Sequence, residues 1–167
     1  MDILDRLLGH DAWTTRQLLL RCRELTDEQL DRRFDIGDRS LRETFQHIIN
    51  VMEVWTDRMA ARPVRDTAPE APPTVDYQLD RLSLAAKDLA ETSRRIQSEG
   101  RLDQMLVDTR EQPPVSKPLG GAIDHVITHS MHHRAQALYI MEHLGLTSLP
   151  EGDALNWEHH AFGWRGA

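Results

Sequence analysis

The sequence predicts an all-α protein built on four long helices. Apolar residues recur at helical spacing in four segments, and glycines or prolines separate these segments from one another. Runs of β-branched residues are few, which argues against a large sheet. A length of 167 residues, 40% of them hydrophobic, suits one domain with a real core. Residues 1–167 are therefore expected to form a single helical domain.

The first predicted helix covers residues 2–25. Its apolar stripe is interrupted by Asp11. His10 and Asp11 could reach toward a site, but we expect both to face solvent. Cys22 lies on the apolar side, so we interpret it as a core residue rather than a nucleophile. The following residues, 26–29, resemble a short capped turn.

The second predicted helix begins at Ser40 and continues to about Ala61, where Pro63 follows. It opens with Ser40-Leu41-Arg42-Glu43, a capping-box pattern in which Ser and Glu satisfy free backbone amides reciprocally. Its inward arc of apolar side chains contains one histidine, His47. A lone histidine on an apolar face is usually a hydrogen-bonded core residue, so its meaning depends on the other helices.

The rest of the chain alternates between loops and helices. Residues 63–73 read as a proline-rich loop, and the third helix covers about 74–98. Residues 101–119 are irregular, with room for a short strand pair, and a fourth helix lies between Gly120-Gly121 and Gly145. A short helix is expected around 153–160. Three large aromatic residues in this tail are expected to cover a site or a partner chain: Trp157, Phe162 and Trp164.

The fourth helix carries the strongest signal for chemistry. His129 and His133 are four residues apart, so they point the same way about 6 Å apart along the axis. Both fall in the middle of an apolar stripe, where a buried imidazole needs a polar partner. This partner could be a metal ion that both imidazoles share, or each imidazole could form its own hydrogen bond with a backbone carbonyl or a carboxylate. For a metal, His125 is about 12 Å from His133 along the axis, so another helix must supply the third ligand.

The opposite side of the fourth helix is apolar as well. A helix that is apolar on nearly all sides is buried on more than one side. The centre of a bundle and a dimer seam both explain this pattern. The residues concerned are Ile123, Ile127, Met131, Leu138 and Met141.

Composition excludes several classes of partner. The net charge is −7 and the 20 basic residues are scattered, which argues against nucleic acid. The one cysteine excludes an internal disulfide framework and suits a reducing cytoplasm. The N-terminus lacks the pattern of a signal peptide, and no apolar run approaches the roughly 20 residues that span a bilayer. We expect a cytoplasmic protein without a membrane partner.

Two segments together resemble the DinB/YfiT-like superfamily of metal-dependent proteins. The first is Ser40-Leu41 leading to His47 and Trp55, and the second is His129-Ser130-Met131-His132-His133-Arg134-Ala135-Gln136. Ala135 stands where the family usually has glycine. The resemblance implies a four-helix bundle with up-down-down-up order and a short C-terminal helical tail. It also implies a homodimer and a divalent metal ion on His47, His129 and His133.

Three neutral imidazoles leave at least one metal position open, which is the arrangement of a catalytic site. Relatives of this kind include thiol-dependent S-transferases and isomerases. The resemblance therefore implies a small-molecule substrate that reacts with a low-molecular-weight thiol or is hydrolysed. Zn²⁺ is the first choice and Ni²⁺ the second, since imidazole suits both. A non-catalytic, stress-related metal-binding dimer is the alternative. No residue is assigned as a catalytic acid or base.

The predicted ligands also imply a pH dependence. Imidazole binds metal only when it is neutral, and its ordinary pKa is about 6.5. Protons are therefore expected to displace the metal as the pH falls through about 6.5 and below.

Overall fold

The computed structural model describes residues 1–68, 71–109, 111–150 and 152–163, and within them the protein is mostly helical. The six α-helices there are α1 (Ile3–Arg21), α2 (Asp27–Asp31), α3 (Leu41–Met59), α4 (Val75–Ser98), α5 (Leu119–His143) and α6 (Ala154–Phe162). A 3₁₀ helix, Cys22–Glu24, extends α1. Two short strands, β1 (Met105–Asp108) and β2 (Val115–Pro118), form an antiparallel pair before α5. None of the described helices is both long enough and apolar enough to cross a membrane.

The helices begin where the local sequence predicts. Ser40 accepts a hydrogen bond from the backbone amide of Glu43, and the Glu43 side chain accepts one from the amide of Ser40. The predicted capping box of α3 is therefore confirmed. A second reciprocal cap joins Thr26 and Gln29 at the start of α2. The short strand pair expected within residues 101–119 is also present.

The four long helices pack around a shared core. Helix α3 contacts α4 and α5, and α1 contacts the same two helices from the other side. Burying apolar side chains from all four helices is the main force that holds this arrangement together. The fully buried side chains include Leu18, Phe45, Ile49, Leu89 and Ile140.

Cys22 lies within this core. Its side chain is buried, and burial raises the pKa of the thiol to about 12. A thiol with that pKa is not a nucleophile at neutral pH. The interpretation of Cys22 as a core residue is confirmed.

The position of α5 between α1 and α3 explains why its sequence is apolar on opposite sides. Ile123 and Met141 are buried, and Ile127 and Leu138 are half-buried. Burial inside the bundle accounts for these four residues without a second chain. Met131 is the exception, since 59% of its surface is exposed.

The C-terminal helix α6 packs on α1. The ring of Trp157 lies so close to Gly9 that a Cβ atom on this glycine would be 2.5 Å from it. Trp157 is buried in this contact, whereas Phe162 is 49% exposed. Of the three aromatic residues expected to act as a cover, Trp157 therefore covers α1, and Trp164 lies outside the described residues.

Candidate metal centre

Three histidine side chains converge between α3 and α5. The Nε2 atom of His129 lies 3.3 Å from Nε2 of His47 and 3.2 Å from Nε2 of His133. The ligand atoms of all three residues lie within 4.8 Å of one another. The spacing of four residues aligns the α5 pair on one face, and the contact between α3 and α5 adds His47. The structure thus brings together the three residues that the sequence singled out.

The distances between the nitrogens fit a shared metal ion. Two imidazoles bound to one zinc at 2.0–2.1 Å with a tetrahedral angle have their nitrogens about 3.3–3.4 Å apart. The observed separations of 3.2 and 3.3 Å are close to this value. The donor set of three imidazoles is also one that zinc and nickel accept.

Hydrogen bonding alone satisfies the cluster less well. Nδ1 of His133 lies 2.7 Å from Oε1 of Gln136, so the proton is assigned to Nδ1 and the Nε2 atom is left as an acceptor. A single N–H on Nε2 of His129 would then have to serve both His133 and His47. Nδ1 of His129 is buried without a hydrogen-bond partner among the described residues. Separate hydrogen bonds, the other possibility that the sequence leaves open, therefore require two acceptors to share one N–H. Nδ1 of His129 lacks a described partner whether or not Nε2 binds an ion.

Gln136 orients His133 and lies close to the loop that precedes α3. Its amide nitrogen lies 3.2 Å from Nε2 of His132. Gly37, with φ at +66°, passes so close that an added Cβ would be 3.2 Å from the same amide nitrogen. A bond to the outer nitrogen of a ligating histidine fixes its tautomer and ring orientation. The sequence alone does not predict this acceptor, although Gln136 lies in the second of the two segments that resemble the DinB/YfiT-like superfamily.

The environment keeps these imidazoles neutral. Burial, the charge of Arg39 and the neighbouring His133 lower the pKa of His47 to about 4. Burial and the adjacent histidines likewise lower the pKa of His129 to about 4. Burial also lowers the pKa of His133, although its bond to Gln136 opposes the shift. With these lowered pKa values, protons are expected to compete with a metal ion at a lower pH than the value of about 6.5 that an unperturbed imidazole would give.

His125 stands beside the cluster without belonging to it. It is exposed, with its ring centroid 5.2 Å from that of His129 and 5.3 Å from that of Trp55. Within the described part of the chain, the group whose ligand atoms converge consists of His47, His129 and His133. This geometry agrees with the prediction that His125 lies too far along the helix axis to be the third metal ligand.

A buried ion pair next to the cluster was missed in the sequence. Asp11 of α1 is 1% exposed and Arg134 of α5 is 4% exposed, and their side chains form an ion pair. Arg134 also donates to Oγ1 of Thr15 at 3.2 Å. Burial raises the pKa of Asp11, and the Arg134 charge opposes that shift by favouring the ionised carboxylate.

The expectation that His10 and Asp11 face solvent is therefore wrong. Asp11 lies on the side of α1 that meets α5, where a carboxylate is tolerated because Arg134 pairs with it. His10 is half-buried, and its Nε2 atom lies 2.6 Å from the carbonyl oxygen of Gly152. The interruption of an apolar stripe by Asp11 was the signal that could have found the pair.

Comparison with known proteins identifies the fold. The sequence profile of the DinB superfamily matches residues 10–137. A DinB-like protein from Bacillus cereus ATCC 10987 has a similar structure, with a TM-score of 0.65 and 23% identity over 85% of this chain and 90% of that one. A protein placed in the DinB family, from Exiguobacterium sibiricum 255-15, gives a TM-score of 0.62 and 21% identity over 90% and 95% of the two chains. No curated protein matches the sequence.

Proposed function

This chain belongs to the DinB superfamily, and on that premise we propose that it is a divalent-metal-dependent enzyme with His47, His129 and His133 as ligands. The observation that carries the proposal is the convergence of three Nε2 atoms at separations of 3.2 and 3.3 Å around His129. A divalent ion bound there would lower the pKa of a bound water or thiol and supply a nucleophile near neutral pH. Zn²⁺ is the preferred ion and Ni²⁺ the second.

The chain's own residues prepare the centre before any ion binds. Their lowered pKa values keep the imidazoles of His47 and His129 neutral, the state in which they donate to a metal. Gln136 holds His133 in the tautomer that directs Nε2 toward the other two rings. Ala135, which replaces the usual glycine of the motif, is exposed, so its methyl group leaves the three rings undisturbed.

We propose one of two reactions on a small electrophilic molecule. A low-molecular-weight thiol is transferred to it or isomerises it, or water hydrolyses it. Three protein ligands leave a position for the small molecule, whereas a structural site would be closed by a fourth. The alternative is a non-catalytic, stress-related metal-binding bundle. It is favoured by one observation, that the converging ligand group consists of imidazoles alone within the described part of the chain. Such a group includes no carboxylate to act as a general base.

Helix order and assembly also belong to the proposal. An up-down-down-up order is supported by Gln78, which donates to the carbonyl oxygen of Arg42 and so places the starts of α3 and α4 together. The bond from Arg94 near the end of α4 to Asp5 near the start of α1 indicates that these two helices run in opposite directions.

A homodimer is the assembly that we propose. Its support is the exposed apolar surface at the start of α1, where Ile3 is 71% and Leu7 42% exposed, and on α5 at Met131. A dimer would cover part of this surface. Sedimentation of the purified protein tests it, and a monomer at micromolar concentration would refute it.

The metal is tested by elemental analysis of protein prepared without a nickel-affinity tag. Wild-type protein should hold about one zinc or nickel ion per chain, and replacing any one of the three histidines by alanine should abolish tight binding. The variant His125→Ala is the control and should retain the ion. Unchanged metal content in all three variants would refute the site. A screen of thiols and electrophiles, with and without metal, then separates the enzyme from the non-catalytic alternative.

A further inference from the structure

A cavity of about 530 Å³ opens beside His47. Its walls come from α3, from the segment that precedes α3 and from the prolines that precede α4. The lining residues include Arg39, Gln46, His47, Asn50 and Pro73. Because His47 belongs to both the cavity wall and the histidine cluster, a molecule bound in this cavity lies next to the proposed metal centre.

The charged residues of this cavity are paired, with one exception. Arg42 donates to Asp31 at 2.7 Å, and Glu43 accepts from Arg33 at 2.8 Å. The half-buried Arg39 has no hydrogen bond or ion pair with any described residue. The cavity therefore presents a guanidinium group whose five donors are not used by any residue that the structure describes.

The positive charge of Arg39 lies close enough to the histidine cluster to repel a bound divalent ion, unless an anion binds between them. Its positive charge acts on the cluster, since it lowers the pKa of both His47 and His133. Three neutral imidazoles would leave the charge of a divalent ion uncompensated, so Arg39 and the ion would repel each other. An anionic group between them would be attracted by both charges.

Gln46 adds an unsatisfied acceptor to the same cavity wall. Its amide nitrogen donates to Oδ1 of Asn50 at 2.9 Å and to the carbonyl oxygen of Thr67 at 3.2 Å, which fixes the orientation of the amide. Gln46 is 8% exposed, and its Oε1 atom has no hydrogen-bond partner within the described residues. A buried acceptor of this kind is satisfied by water or by a donor group of the ligand, and that donor cannot be an ionised carboxylate, which only accepts hydrogen bonds.

We infer that the substrate of the three-histidine centre carries a carboxylate group, which binds Arg39 in the cavity beside His47. This inference rests on the proposed function and specifies its substrate class. The planar fork of a guanidinium group matches a carboxylate with two parallel hydrogen bonds, which gives orientation as well as affinity. Bound in this way, the substrate would be held at one end by Arg39 while its reactive part faces the histidines.

The test is a titration of the zinc-loaded and the metal-free protein with succinate, followed by ¹H–¹⁵N spectra that include the Nε signal of Arg39. Succinamide serves as the neutral probe of similar shape, and inorganic phosphate as the other common anion. Arg39→Gln removes the charge, and Arg39→Lys keeps the charge but loses the fork. Arg95→Gln is the matched control, because Arg95 is an exposed residue on α4 and its replacement changes the net charge equally.

Succinate should bind wild type saturably, and more tightly when zinc is present, whereas succinamide should not. Arg39→Gln should weaken succinate about ten-fold or more, the effect of losing a charge-assisted hydrogen bond, and Arg39→Lys should weaken it less. Arg95→Gln should match wild type. Equal affinity of wild type and Arg39→Gln, or an Arg39-dependent preference for phosphate, would overturn the carboxylate inference.

The two proposals fail in different ways. Zinc affinity, measured in the same preparations with a chelating dye, should be unchanged or slightly higher in Arg39→Gln, because a repelling charge has been removed. A wild-type protein that binds no zinc would refute the proposed function, while succinate binding by the metal-free protein still reports on Arg39. A protein that binds zinc but no carboxylate would refute only the inference about the substrate.

Discussion

Removal of the Asp11 carboxylate should destabilise the protein strongly. The replacement Asp11→Ala leaves the guanidinium group of Arg134, which is 4% exposed, without its charged partner. Among the residues that the structure describes, Oγ1 of Thr15 at 3.2 Å and the carbonyl oxygen of residue 11 at 3.4 Å remain as acceptors. Breaking a buried ion pair in this way costs about 3–5 kcal/mol. That is a large part of the roughly 5–15 kcal/mol that stabilises a typical domain.

The loss of stability should come from the buried, unpaired charge of Arg134 and not from the loss of the ion pair itself. A double variant, Asp11→Leu with Arg134→Met, removes both charges and should recover most of the lost stability. Urea unfolding at pH 7, followed by circular dichroism, gives the free energy of unfolding of each variant. Asp76→Ala is the control, since Asp76 is paired with Arg23 at the surface and its loss should cost less than about 1 kcal/mol. If Asp11→Ala costs no more than Asp76→Ala, the argument from burial is wrong.

Three further predictions concern the histidine centre. The pKa values of two of its imidazoles are lowered to about 4 in the folded protein, whereas the value in the unfolded chain is about 6.5. The unfolded chain therefore takes up protons first as the pH falls. Metal-free protein should lose stability between about pH 6.5 and pH 4. The gain in Tm from added zinc should persist from pH 8 to about pH 5 and should start to decline only as the pH falls through about 4. A gain that halves near pH 6.5 would contradict this. Gly37→Ala should cost about 1 kcal/mol in thermal melts because φ is +66°, and should also weaken zinc by displacing Gln136. Gly100→Ala has the same φ with open space around it, so it should show the strain without the metal effect. Gln136→Leu should weaken zinc binding about 10- to 100-fold in a dye competition assay, whereas Gln136→Glu, which keeps an acceptor for His133, should not.

Local patterns in the sequence were enough to predict the helices. The capping box at Ser40 and the apolar arc that contains His47 depend on residues within a few turns of each other. The prediction that His129 and His133 share a face follows from helical geometry alone. Their meeting with His47 needed the additional knowledge that α3 and α5 are neighbours, which the periodicity does not contain.

Features that depend on distant parts of the chain were missed. Asp11 and Arg134 are 123 positions apart, and an isolated Asp on a helix is usually exposed, so the sequence favoured solvent. The lowered pKa values of the histidines were missed for a similar reason. They result from burial, from the neighbouring histidines and, for His47 and His133, from Arg39. Neither the burial nor the position of Arg39 can be read from the spacing of the histidines. The contact between Gly37 and Gln136 also joins segments that have no shared pattern.

The neighbouring residues His133 and Arg134 give α5 an unusual constraint. Successive residues on a helix point about 100° apart, so His133 faces α3 and its histidine while Arg134 reaches α1. A turn of α5 about its own axis would withdraw both side chains at once. Inserting one residue ahead of this pair would rotate it by a similar angle, which would open the cluster and strand the guanidinium group in the same event. For anyone redesigning this scaffold, a change in the length of α5 ahead of this pair therefore disturbs both contacts together, whereas a replacement of either side chain disturbs one of them.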